Sequence, residues 1–168
     1  MRIAYQQADG TVAIVVAAPK EALTPLIGRV DENGQRIPLT DQEYRDHVFA
    51  RSIPAGATNV HELPDDWTAP DRYFRNAWVT DGVSVSIDLT RAKEVHRNVM
   101  RKARVPLLRL LDAEIAKAED TGGVQRRATL ATKRQALRDV TADSAVDAAQ
   151  TPEQLKASWP IVLGLKKI

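Results

Sequence analysis

LTRAKEVHRNVMRKARVPLLRLLDAEIAKAED, residues 89 to 120, is where the chain changes its grammar. Apolar residues fall at 92, 95, 99, 103, 107, 111, 115 and 118. Steps of three and four put them on one face of a helix. Pro106 lies inside the run and has no backbone N–H, so a kink or break is expected there. Thr121-Gly122-Gly123 stops the helix. VQRRATLATKRQALRDV, 124 to 140, reads as a second helix, and the short connection favours an antiparallel hairpin. Thr151-Pro152-Glu153-Gln154, with Pro at N1 and Gln at N3, opens a short terminal helix that ends before Pro160.

Upstream of residue 89 the pattern is short and β-like. RIAY, then Ala8-Asp9-Gly10, then TVAIVVA forms a hairpin signal, because Asp and Gly tolerate the positive φ of a tight turn. Residues 19 to 38 carry Pro19, Pro25, Gly28, Asn33-Gly34 and Pro38, which predicts a loop or open arm with one helical turn at KEALTPLIG. Thr40 and Glu43 make a capping box, in which the hydroxyl accepts the N3 amide and the carboxylate accepts the cap amide. A helix over about 41–52 follows, closed by Pro54 and Gly56. NVHEL, 59 to 63, is a short strand. Trp78 to Asp81-Gly82 and then VSVSIDL form a second hairpin, with Val83, Val85 and Ile87 alternating against polar residues. The expected fold is α+β, with a small β-hairpin-rich half over 1–88. A kinked antiparallel helical hairpin and a short C-terminal helix follow over 89–168.

The bulk numbers bound the class. At 168 residues the chain fits one medium domain or two small units, burying about two-thirds of its unfolded surface. An apolar fraction of 43% with 27% charged residues is that of a soluble folded chain. Cysteine is absent, which removes disulfides, thiolate zinc sites and cysteine nucleophiles together. No apolar run approaches the roughly 20 residues that cross a bilayer, and the first ten residues lack the order of a signal peptide. A cytoplasmically made protein without a membrane partner is expected. The net charge of +2 conceals a split. Residues 31 to 88 hold eleven acids against five bases, whereas 89 to 168 hold sixteen bases against nine acids. Such a split favours head-to-tail or intramolecular attraction.

No residue pattern carries catalysis. His47, His61 and His96 lie on three different elements, and none has a second His at metal-binding helical spacing. No nucleophile elbow, P-loop or dinucleotide fingerprint is present. Asp65 and Asp66 are adjacent carboxylates after Pro64, a pattern that serves turns more often than glycosidic chemistry. The expectation is a non-enzyme without metal or cofactor. Arg97, Arg101 and Arg104 share a helix face at i, i+4 and i+7, and could track a phosphate backbone. Against that stands a plain solvated face, or one paired with the acidic first half, which is the favoured reading, so nucleic acid is disfavoured as a partner. No aromatic rings interleave with these bases.

Half of the eight aromatic residues sit in WTAPDRYFRNAW, 67 to 78: Trp67, Tyr73, Phe74 and Trp78. Arg72 and Arg75 flank the rings. Each large ring buries roughly 150 to 250 Å². The stretch is expected to form an intramolecular seam at the joint of the two halves. The other reading makes these four residues a patch that docks a protein partner.

KRQALRDVTADSAVDAAQTPEQLKASWP, 133 to 160, resembles the C-terminal part of small bacteriophage tail proteins, including the phage tail assembly chaperones. In these a helix ending in a phrase like Arg134-Gln135-Ala136-Leu137-Arg138-Asp139 is followed by a coda bearing Trp159-Pro160. RYFRNAWVTDGVSVSIDLTRAKEVHRNVMRKAR, 72 to 104, similarly resembles prophage tail-region proteins, with an Asp-Gly hairpin feeding a basic helix. The spacer before Trp159 is longer here, and the first 70 residues are not covered. The resemblance implies a non-enzymatic tail or tail-fibre component located in the virion and made in the host cytoplasm. Its partners would be other tail or virion proteins or copies of itself. Otherwise it implies a transient assembly chaperone absent from the particle. It brings no catalytic or cofactor residues.

Overall fold

A computed structural model describes residues 1–164 and divides the chain into two compact units, Met1–Ser86 and Ile87–Ile168. The architecture is α+β.

The first unit is built on a three-stranded antiparallel sheet in the order β2-β1-β3. Its strands are β1 (Arg2–Gln6), β2 (Val12–Val16) and β3 (Thr58–Leu63). The β1–β2 turn forms where the sequence asks for it. Gly10 takes φ +80°, and the Asp9 carboxylate accepts from the Thr11 amide at 2.9 Å. In register, Ile3 faces Val15 and Ala4 faces Ile14. Side chains alternate along a strand, so these two pairs point to opposite faces of the sheet. On one face Ile3 joins Leu39, Tyr44 and Val48 in a buried cluster, with Val15, Leu23 and Phe49 against it. Tyr44 and Val48 come from α2 (Asp41–Ser52), whose capping box is complete: Glu43 N donates to Thr40 Oγ1 at 3.2 Å, and Thr40 N to Glu43 Oε2 at 2.8 Å. The 19–38 segment is more regular than a loop. It holds α1 (Lys20–Ile27), eight residues long with Pro25 inside, ending at Gly28.

The sheet's other face meets the second hairpin, since β4 (Trp78–Thr80) packs across β1 and β2. Asn59, at φ +52° beside a register shift between β1 and β3, links the two layers. Its Nδ2 donates to Gln6 Oε1 at 3.0 Å and to the Thr80 carbonyl at 3.2 Å. β5 (Val85–Ile87) is shorter than the alternation of VSVSIDL predicts. The Asp81 carboxylate accepts from the Val83 and Ser84 amides at 2.8 and 2.7 Å, which holds Val83 in the turn, 78% exposed.

The second unit is led by α3 (Leu89–Asp120), 32 residues with Pro106 inside it. Of the kink or break expected at Pro106, the break does not occur: the helix is continuous from Leu89 to Asp120. Pro106 lies on the exposed side, so the Lys102 carbonyl that loses its helical partner can be hydrated. The Asp88 carboxylate caps the start, accepting from Arg91 N at 2.7 Å. Gly122, at φ +69°, ends the helix in a left-handed turn, and Gly123 N donates back to the Ala118 carbonyl at 2.8 Å. α4 (Val124–Asp139) returns antiparallel, laced to α3 by Arg126–Glu114, Arg127–Glu119 and Arg134–Asp112.

The buried stripe of α3 is Ala92, His96 and Met100 in its first half, not the expected Val95 and Val99. The elements that cover it explain the shift. α5 (Ser144–Ala148) and α6 (Pro152–Ala157) bring in Val146 and Leu155, both fully buried like His96 and Met100. α5 was not legible in the alanine-rich spacer. Asp143 caps it, accepting from Ala145 N at 2.9 Å. α6 follows its signal, with Thr151 Oγ1 accepting from Gln154 N at 3.2 Å.

Candidate functional site

The four rings of residues 67 to 78, expected as a seam between the halves or else as a docking patch, lie in the first unit. Asp71 opens a short 3-10 segment, Arg72–Ala77, its carboxylate accepting from Tyr73 N at 2.9 Å. That turn separates the four rings into different roles. Phe74 is fully buried, and Trp78 is 4% exposed with its indole N–H 3.4 Å from the Asp71 carbonyl. Burying a ring of this size contributes about 2–3 kcal/mol, so both belong to the interior. Neither offers an exposed ring for docking. Tyr73 packs edge-on against Phe74, centroids 4.7 Å apart, and is half-buried. Burial, and then the nearby Asp71 carboxylate, push the Tyr73 phenol up to about 12.

Trp67 is half-buried as well. It borders a groove of about 250 Å³ walled by Ile14 and Val16 of β2, Trp78, Arg72 and Arg75. Both arginines are exposed, and no ion pair engages either among the described residues. Val16, 72% exposed, is the apolar lip. The arrangement suits an apolar side chain held against Trp67 and Val16 with a carboxylate reaching the guanidiniums. The flanking arginines were legible in the sequence, but the β2 wall was not, because Ile14 and Val16 lie more than fifty residues upstream. Strand alternation was the only signal for them.

The other candidates scatter. Arg97 is ion-paired with Asp147 of α5. Arg101 Nη1 donates to Glu94 at 2.6 Å and Asn98 at 2.7 Å, and Arg104 Nη1 to the Arg138 carbonyl at 2.6 Å. The three are thus held by partners of the second unit rather than by the acidic first half. His96 is interior, its Nε2 3.4 Å from Ser158 Oγ and its ring edge-on to Trp159. His47 lies on α2 and His61 on β3. Among the described residues no group of three or more His, Asp or Glu is arranged to hold a metal ion, and no helix is long and apolar enough to cross a membrane. Asp65 and Asp66 stand exposed in a turn closed by Trp67 N donating to the Pro64 carbonyl at 3.0 Å. In the second unit, Leu107, Leu110, Leu111, Leu137 and Val162 line an apolar depression of about 360 Å³ with Lys133 at its border. No known protein family, curated protein or solved structure matches the chain.

Proposed function

We propose that this protein works by docking rather than by chemistry, as a non-enzymatic component of a bacteriophage tail or tail fibre. The observation that carries the reading is the groove beside Trp67. There, half-buried aromatic surface and two arginines without ion pairs among the described residues lie beside β2 of the sheet. Aromatic and arginine side chains dominate the energetic centres of protein interfaces. The phage context rests on the resemblance of residues 72–104 and 133–160 to tail-region proteins. Its partners are then virion proteins or further copies of the chain, and its place is the particle.

The nucleic-acid reading has weaker support, because Arg97, Arg101 and Arg104 already hold Asp147, Glu94 and the Arg138 carbonyl. Quantitative mass spectrometry of purified particles, beside a lysate of the producing cells, tests the proposal. A fixed copy number relative to the major tail proteins supports a virion component. Abundance in lysate with absence from particles replaces it with the assembly chaperone. Absence of any particle association, together with salt-sensitive binding to DNA, overturns both.

A further inference from the structure

The edge of the sheet beside this groove is open. The ladder between β1 and β2 is bracketed by Ala17 N donating to the Met1 carbonyl at 3.1 Å and Gln7 N to the Thr11 carbonyl at 2.8 Å. Antiparallel pairs alternate between bonded and non-bonded. Ala13 and Val15 therefore turn their main-chain groups toward β1, and Ile14 and Val16 turn theirs outward. β2 is an outer strand of the sheet, and no strand pairs with that side among the described residues. Ile14 and Val16 are also the two β2 residues whose side chains wall the groove. One strip of chain thus presents free main-chain donors and acceptors, a hydrophobic slot and two cations together.

We propose that β2 accepts an extended segment of a partner protein as an added strand. The segment carries an apolar residue and an acidic residue two positions apart. The apolar residue enters the slot lined by Trp67, Ile14 and Val16, and the carboxylate two residues on, pointing to the same face, reaches Arg72 and Arg75. Main-chain pairing supplies affinity in such complexes, and the pockets for alternate side chains supply specificity. Charge selects the occupant. A second copy pairing β2 to β2 would bring four arginines to one site, whereas an acidic strand neutralises the two already there. This rests on the reading of the Trp67 corner as an interface.

The test pans a displayed library of random dodecapeptides against the full chain, then measures the winners by fluorescence titration. Enrichment of an apolar-x-acidic pattern is expected. Arg72→Glu with Arg75→Glu should weaken the winners on the order of a hundredfold. Val16→Pro removes an outward amide while leaving the bonds to β1 intact, and should weaken them about tenfold. Circular dichroism checks that each variant folds. Should the proline variant not fold, amide exchange on the unaltered chain replaces it, and peptide binding should protect the Ile14 and Val16 amides. No enriched pattern, or no such protection, overturns the strand proposal. Peptides sensitive to Trp67→Ala but indifferent to Val16→Pro overturn it while leaving the interface reading intact. A concentration-dependent dimer abolished by Val16→Pro gives the edge to a second copy instead.

Discussion

Gly28 sits at φ −60°, an ordinary angle, so what it supplies is space rather than conformational freedom. A Cβ there would lie 2.5 Å from the Thr24 carbonyl oxygen and 2.8 Å from that of Ile37. Neither atom is the tip of a flexible side chain, and relief requires moving backbone. Gly28→Ala should therefore lower stability by about 2 kcal/mol in denaturant unfolding. Tyr73 gives a second prediction at this scale. Its phenol is raised to about 12 by burial and then by Asp71, above the unfolded value of about 10. Below the unfolded value both states are neutral and the stabilisation is complete. As pH rises toward the folded value, the unfolded chain ionises first, and stability falls through that window. Alkaline titration followed by phenolate absorbance and circular dichroism should show this loss, and Tyr73→Phe should diminish it.

Among the elements, those with strong local signals were legible and those defined by their partners were not. The capping box of Thr40 and Glu43 fixed α2, and Asp9-Gly10 fixed the first hairpin, because each satisfies nearby amides with nearby groups. α5 has five residues and no periodicity to read; Val146 makes it an element only by packing into the second unit. His96 likewise displaced Val95 and Val99 from the core because of what covers it. The candidate site shows the same limit. Trp67, Arg72 and Arg75 were visible as a cluster, but the fate of Phe74 and Trp78 depended on a sheet formed by distant residues. Pro106 yields a prediction here. It leaves the Lys102 carbonyl without a helical donor in an otherwise continuous helix. Pro106→Ala should stabilise the second unit by about 1–3 kcal/mol, read as a higher denaturation midpoint.

For the whole molecule, charge decides how a partner is recognised. Met1–Ser86 holds twelve acids against eight bases, and Ile87–Ile168 sixteen bases against ten acids. Arg72 and Arg75 are therefore a basic pair in an acidic unit. Long-range attraction of an acidic partner to that unit is weak, and recognition falls to contact between guanidinium and carboxylate. Salt should thus act mainly on dissociation rather than on encounter. The most direct measurement of the docking account is the yield of tail-bearing particles from cells whose only copy carries Arg72→Glu and Arg75→Glu. The account predicts a fall of about tenfold or more, with the folded variant accumulating outside particles. An unchanged yield, with the variant present at its normal copy number, would contradict it.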